Sequence, residues 1–153
     1  MREYRYTVDR DGRIFHEGSE ITDAAVLRFF LRRMERTPDG SDLVLCQGER
    51  NWFASADTPF VVQRLRCQVE AGRLDAVELV FAGDYREPLD PATLETRAGH
   101  LYCAVHGGAF RARFGRIAMQ QLSPHLTETN GRAALRLGDA THAIREADPV
   151  REA

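Results

Sequence analysis

Four consecutive residues, Glu49, Arg50, Asn51 and Trp52, lie between two apolar stretches and could form a small polar site. Arginine presents a planar set of donors that binds a carboxylate or phosphate in bidentate fashion. Glu49 could orient that guanidinium, Asn51 could donate or accept a hydrogen bond, and Trp52 could supply an apolar wall. We predict that residues 47–51 form a hairpin loop and that these four residues bind a small anion.

The alternative interpretation of the same stretch is an ordinary solvated turn. In that case Gly48 or Asn51 takes a positive φ and Arg50 points into water. Under either interpretation the stretch contains no group that titrates near neutral pH, so it suits binding better than catalysis. We therefore predict no catalytic residue in it.

His100, Cys103 and His106 have a spacing that suggests a zinc site. On a strand, however, His100 and His106 face one way and Cys103 the other, so the three cannot converge on one ion. The sequence also lacks an H-E-x-x-H, a C-x-x-C, a phosphate loop and a dinucleotide fingerprint. We predict neither a metal site nor a cofactor.

Composition restricts the classes of partner. The net charge is -2, because 21 basic residues nearly cancel 23 acidic ones, so no global field favours nucleic acid or an anionic membrane. Every basic residue is arginine, which is explained most simply by general replacement of lysine. No segment reaches the ~20 apolar residues of a membrane span, and the N-terminus has no secretory signal, so we expect a cytoplasmic protein. The three cysteines are far apart and are expected to be free thiols.

The best helical pattern follows Asp23, a candidate N-cap, and should end before residues 37–40, where proline and glycine oppose a helix. Alternating apolar residues predict hairpins on both sides of it and near the C-terminus. A helical turn should follow Asp90, and a short helix should cover residues 117–122. The predicted hairpins pair 4–8 with 13–16, 43–46 with 52–55, 100–105 with 109–114, and 134–137 with 140–144.

A long central hairpin is predicted over residues 60–82. Its apolar face carries odd-numbered residues on both strands, so odd positions must pair with odd positions. That requirement predicts a three-residue loop at 70–72 and places Arg64 opposite Glu78, where the two could form a cross-strand ion pair.

The two ends of the chain repeat the order hairpin, helix, hairpin, over residues 4–55 and 100–144. Tyr6 and Gly12 align with Tyr102 and Gly108, although so few identities leave chance similarity as an alternative. We predict one compact α+β domain over residues 1–153, built of antiparallel β-hairpins, one main helix and short helices. Two pseudo-repeat halves flank the central hairpin 60–82.

Several segments resemble families of unknown function. The stretches "DGRIFHEGSEI", "LYCAVHGGAFRARF" and "RLGDATHAI" resemble a proteobacterial family, which implies two similar α+β halves that meet at a cleft and a suggested signalling role. The stretches "YTVDRDGRIF" and "CQGERNWFASADTPFVV" resemble more closely a second uncharacterised family with bacterial and animal members. The resemblance covers most of residues 4–144 and brings no catalytic residues. Only the second family shares the triplet 49–51.

Three functional hypotheses follow. The first is a cytoplasmic, non-enzymatic module that binds a small anionic ligand in the cleft through Arg50. The second is a protein-interaction or signalling adaptor whose exposed arginines contact an acidic partner. The third is a hydrolase-type enzyme with His16, His100 or His106 as its base; the scattered histidines and the lack of a G-x-S-x-G motif make it the weakest.

Overall fold

The computed structural model describes residues 2–147, which form four β-sheets and two α-helices. In this part of the chain, no helix is long and apolar enough to cross a membrane. The strands are β1 (Glu3–Val8), β2 (Ile14–His16), β3 (Ser19–Glu20), β4 (Glu35–Arg36), β5 (Asp42–Cys46), β6 (Glu49–Ser55), β7 (Val61–Val62), β8 (Arg64–Glu70), β9 (Arg73–Val80), β10 (Arg86–Pro88), β11 (Glu95–Arg97), β12 (His100–Val105), β13 (Phe110–Phe114), β14 (Leu126–Thr129), β15 (Arg132–Leu137), β16 (Ala140–Ala143) and β17 (Arg145–Glu146). The helices are α1 (Ala24–Arg33) and α2 (Arg116–Leu122), and short 3-10 helices cover Ala82–Asp84, Pro91–Thr93, His106–Gly108 and Ser123–His125.

The predicted α+β class, with antiparallel hairpins and few helices, is confirmed. One sheet has six strands in the order β3-β2-β1-β6-β5-β4, and a second has five in the order β17-β11-β12-β13-β7. Two three-stranded sheets, β10-β9-β8 and β14-β15-β16, complete the fold. Neighbouring strands are mostly antiparallel, but β1 with β6, β7 with β13 and β11 with β17 are parallel.

Helix α1 packs on one face of the six-stranded sheet. As predicted, Asp23 caps it, and the Asp23 carboxylate accepts a hydrogen bond from the Val26 amide at 3.1 Å. Phe30 contacts Tyr6 and Phe53 of the sheet with ring centroids 5.0 Å apart in each pair. The helix ends at Arg33, earlier than the proline and glycine signals indicated, because β4 begins at Glu35 and pairs with β5.

The predicted loop over residues 47–51 is wrong in extent. The turn consists of Gln47 and Gly48 alone, with φ of 50° and 78°, and β6 starts at Glu49. Two positive φ values in succession are typical of the two-residue turn whose twist matches that of the flanking strands. Cys46 pairs directly with Glu49, so the polar triplet belongs to the strand.

The central hairpin also corrects a prediction. Its turn is Ala71 and Gly72, a two-residue turn that the parity argument had excluded. A β-bulge between Gln68 and Val69 absorbs one residue, so the odd positions still pair with odd ones beyond the bulge. The apolar faces coincide as predicted, but the residue opposite Glu78 is Arg66.

Arg64 lies opposite Val80 in that register and pairs instead with Asp84, with Arg64 Nη2 3.0 Å from Asp84 Oδ1. Pro91 opens a 3-10 helix after the Asp90 cap, as predicted. Helix α2 follows the β12-β13 hairpin, as α1 follows β1 and β2. The order of elements thus agrees with a repeat, whereas the duplication of the two halves stays a prediction.

Candidate functional site

The four residues predicted as one site are divided between the two faces of β6. Asn51 is buried and faces α1, where it lines a small concavity beside Phe30 together with Glu49. The Tyr6 hydroxyl donates to Asn51 Oδ1 at 3.2 Å, and Asn51 Nδ2 donates to the Val44 carbonyl at 3.1 Å. The Asn51 side chain therefore ties β6 to its neighbouring strands.

Arg50 and Trp52 lie on the opposite face, because successive strand residues alternate. The carboxylate near Arg50 is that of Glu3, 3.5 Å from Arg50 Nη1, and not that of Glu49 as predicted. Arg50 and Glu3 are 45% and 44% exposed. Trp52 is partly buried and borders a broad concavity. The predicted anion-binding role of these residues stays a prediction.

A different cavity, of about 550 Å³, lies between the six-stranded and five-stranded sheets, and we call it the cleft cavity. Arg36 enters it from the six-stranded sheet, and Arg111 and Arg145 enter from the five-stranded sheet. Its volume is typical of small-molecule sites. The lining residues are Arg36, Asp57, Thr58, Ala92, Thr93, Leu94, Glu95, Cys103, Ala104, Gly108, Ala109, Phe110, Arg111 and Arg145.

Glu95 holds the arginines of one wall in place. It is buried, and its Oε1 lies 3.0 Å from Arg111 Nε and 3.7 Å from Arg97 Nη2, while its Oε2 contacts Arg145 Nη2. Burial opposes ionisation of Glu95, but the hydrogen bond from Arg145 and the charges of the three arginines outweigh it, so the pKa lies below its usual value. One carboxylate therefore positions three guanidinium groups.

Arg36 forms the facing wall. Its Nε lies 3.1 Å from Asp42 Oδ1, and its Cζ lies 4.7 Å from the centroid of the Phe110 ring. Both contacts fix the guanidinium, the first through an ion pair and the second through a cation–π interaction. Burial raises the pKa of Asp42 against the opposing effect of Arg36. The Arg36 side chain is still 43% exposed.

The segment that links the two sheets closes the cavity from one side. The Tyr102 hydroxyl donates to Asp57 Oδ2 at 2.6 Å, and burial together with this bond raises the pKa of Tyr102 to about 12. The Thr58 hydroxyl donates to the Arg111 carbonyl at 2.6 Å, which anchors the linker to β13. The Arg111 guanidinium lies over the Tyr102 ring, 5.6 Å from its centroid. Both acidic residues of the lining are therefore already engaged by protein donors.

Nucleophilic and basic groups are poorly placed for chemistry here. Cys103 lines the cavity, but burial, assisted by the charges of Glu87 and Asp90, raises the pKa of its thiol to about 12. His16, His100 and His106 are not part of the lining formed by residues 2–147. His106 uses its Nε2 in a 2.9 Å contact with a backbone carbonyl of α1.

Within residues 2–147, no three metal-ligating side chains cluster together. The arginines and Glu95 could not have been found from spacing in the sequence. The parallel pairing of β11 with β17, which are far apart in the chain, brings Arg145 beside Glu95, whereas Arg111 comes from β13 and Arg36 from the other sheet. The strand alternation around Phe110, Ala112 and Phe114 does indicate that Arg111 points away from the core, and that is the sequence signal closest to the site.

A scan of family models and a search of curated proteins find no match. Two solved structures are similar. One is a DUF1285 family protein from Silicibacter pomeroyi DSS-3, with a TM-score of 0.66 and 16% identity over 94% of this chain and 82% of that one. The other is a DUF1285 family protein from Shewanella baltica OS155, with a TM-score of 0.60 and 10% identity over 77% of this chain and 89% of that one.

The chain shares the fold of these proteins. At such low identities the likeness shows the fold alone. It agrees with the resemblance to a proteobacterial family of unknown function. The resemblance to the second family, with bacterial and animal members, stays a prediction.

Proposed function

We propose that this chain is a cytoplasmic, non-enzymatic binding module that holds a small anionic ligand in the cleft cavity, with Arg36 and Arg111 as its main contacts. The observation that carries the proposal is the convergence of Arg36, Arg111 and Arg145, from different sheets, on one cavity of about 550 Å³. Arginine is suited to a carboxylate or phosphate because its terminal nitrogens form paired hydrogen bonds.

The charge balance of the cavity supports an anion. Asp57 already accepts a bond from Tyr102, and Glu95 is contacted by three arginines. Arg36 and Arg111 each contact a carboxylate through Nε, so their terminal nitrogens can donate to a ligand. Their side chains are 43% and 42% exposed, so a ligand can reach them.

Binding is better supported than catalysis. With a pKa of about 12, the Cys103 thiol is protonated near neutral pH and is a poor nucleophile. The Glu95 carboxylate is held ionised by its arginines, and its pKa lies too low for a general base near pH 7. The hydrolase hypothesis would need one of the three candidate histidines to approach this cavity.

The proposal is tested by thermal shift and calorimetry with inorganic phosphate and small carboxylates at moderate salt, which screens nonspecific anion effects. A ligand at ~100 times its Kd should stabilise the fold by about 2.7 kcal/mol, which for this size raises Tm by roughly 5–10 °C. Arg36→Gln and Arg111→Gln should each weaken binding about 10- to 100-fold. Arg136→Gln, on the exposed face of β15, is the matched control and should bind as wild type.

Arg50→Ala distinguishes this proposal from the earlier prediction. If it abolishes the shift while the cleft variants retain it, the anion binds at Arg50 and the cleft proposal is wrong. The adaptor hypothesis, in which the same arginines contact an acidic protein, is supported if no small anion shifts Tm and an acidic partner co-purifies with wild type but not with Arg36→Gln.

A further inference from the structure

A second concavity, of about 560 Å³, adjoins the cleft cavity, and we call it the Trp52 groove. It runs along β1 and β6 of the six-stranded sheet and the segment before β5, and its lining includes residues from both faces of that sheet. Arg36 and Asp57 line both spaces, so they form the boundary that joins them. The groove is lined by Arg5, Tyr6, Thr7, Arg36, Gly40, Ser41, Asp42, Trp52, Phe53, Ala54, Ser55 and Asp57.

Trp52 is the only tryptophan of the chain and the largest flat side chain in this groove. Among residues 2–147, close aromatic pairs join the rings of tyrosine, phenylalanine and histidine, and Trp52 takes part in none of them. The residue is partly exposed and lies beside Arg5, the residue opposite it on β1. A flat, partly exposed indole next to a cationic cavity is a stacking surface for a planar ring.

We infer that the cleft cavity and the Trp52 groove together bind a ligand in which a phosphate is joined to a planar aromatic ring, as in a nucleoside monophosphate. The phosphate occupies the cleft cavity between Arg36 and Arg111, and the ring extends past the Arg36–Asp57 boundary onto Trp52. This inference rests on the proposed function and adds the class of ligand. Thr7 and Ser41 line the groove and offer hydroxyl groups to the polar edge of a base.

The experiment compares three probes by calorimetry: AMP, ribose 5-phosphate, which lacks the ring, and adenosine, which lacks the anion. AMP should bind at least about tenfold more tightly than ribose 5-phosphate, as base–aromatic stacking predicts. Because Trp52 is the sole tryptophan, fluorescence excited selectively at tryptophan reports this position alone, and AMP should quench it while ribose 5-phosphate should not.

Two variants separate the ring contact from the anion contact. Trp52→Leu should lower AMP affinity to that of ribose 5-phosphate and leave ribose 5-phosphate binding unchanged, whereas Trp52→Phe should restore most of the difference. Arg36→Gln should weaken both phosphates by a similar factor.

The outcomes distinguish this inference from the proposed function. If phosphate and ribose 5-phosphate bind but AMP binds no better, the ring contact is wrong and the proposed function stands. If AMP binds better but Trp52→Leu does not change its affinity, the inference is also wrong. If phosphate, ribose 5-phosphate and AMP all fail to bind, the inference falls, and the carboxylate arm of the earlier experiment decides the proposed function.

Discussion

The Oε1 atom of Glu95 lies 3.0 Å from the Nε atom of Arg111, and the opposite oxygen of this buried carboxylate contacts Arg145. Glu95, on β11, thereby connects to two other strands of the five-stranded sheet. Strand β17 is adjacent to β11, and β13 lies one strand beyond β12. Glu95 is therefore a structural ion that sets the positions of the arginines in the cleft cavity.

Glu95→Gln should destabilise the protein by about 1–3 kcal/mol, because the charged hydrogen bonds to the arginines are lost while the side-chain shape is kept. Partial exposure of the arginines limits the cost, since water can solvate them. Urea denaturation measures the change in unfolding free energy. Glu146→Gln, at an exposed neighbouring position on β17, should stay within about 0.5 kcal/mol of wild type. Equal stability of the two variants would contradict a structural role for Glu95.

The same carboxylate should give the stability a defined pH dependence. The folded-state pKa of Glu95 lies below its usual value, so the stabilisation is present above the unfolded-state pKa of about 4.3 and is lost as pH falls through the folded value. The gap in unfolding free energy between wild type and Glu95→Gln should be constant from pH 7 to about 5.5 and should shrink below pH 4. A gap that widens on acidification would refute the lowered pKa.

Asp42 should behave in the opposite way. Its pKa is raised, because burial outweighs its single arginine partner, Arg36. Its contribution to stability is complete below the unfolded-state pKa of about 3.9 and declines as pH rises through the folded value. Asp42→Asn should therefore be neutral or stabilising at pH 7 and relatively less favourable at pH 4, as measured by thermal unfolding across pH. The control Asp139→Asn, with a 94% exposed side chain, should follow wild type.

Substitutions at Asn51 and Arg50 should affect stability differently, because Asn51 is a buried structural residue of β6 and Arg50 is an exposed one. Asn51→Ala removes the buried partners of the Tyr6 hydroxyl and the Val44 carbonyl, so it should cost about 1–3 kcal/mol. Arg50→Ala removes only an exposed pair with Glu3 and should stay within about 0.5 kcal/mol of wild type. Chemical denaturation of both variants measures the change in unfolding free energy. A larger loss of stability for Arg50→Ala would show that its ion pair contributes more than expected.

Gly83 should be intolerant of a side chain. An added Cβ would lie 2.6 Å from the Leu27 Cβ and 2.8 Å from the Ala24 carbonyl oxygen, at a φ of +69°. Gly83→Ala should cost about 2–5 kcal/mol, from overpacking against α1 and from backbone strain. Gly72→Ala is the matched control: its φ is +78°, with nothing within 4 Å, so it should show only the backbone cost of about 1 kcal/mol. Similar melting temperatures for both variants would contradict the packing argument.

Local signals predicted much of the fold. The Asp23 cap located the start of α1, and the alternation after Tyr4 located β1, because both depend on residues close in the chain. The turns were harder to predict. The polar residues at 49–51 suggested a longer loop. In the structure Asn51 is a strand residue whose side chain hydrogen-bonds the Val44 carbonyl and the Tyr6 hydroxyl. No sequence feature marks the β-bulge between Gln68 and Val69. The pairing of odd with odd positions, taken alone, therefore gave the wrong loop length.

The cleft cavity shows where sequence reasoning stops. Arg36, Glu95 and Arg111 lie in three different strands, and their meeting depends on pairings between segments distant in the chain. The sequence supplied the type of residue, arginine, and the expectation of a cleft from a family resemblance. The sequence did not show which arginines line the cavity, because no local periodicity or motif relates residues on separate sheets.

The parallel pairings set an order in which the chain can fold during synthesis. The pairing of β1 with β6 is complete once residue 55 has been made, so the six-stranded sheet can form early. Strand β7 must wait for β13, and the pairing of β11 with β17 must wait until residue 145 has been made. Translation proceeds at ~5–20 residues per second. The strands of the six-stranded sheet are therefore made several seconds before Arg145, which completes one wall of the cavity. The cleft cavity is thus among the last parts of the molecule to be assembled on the ribosome.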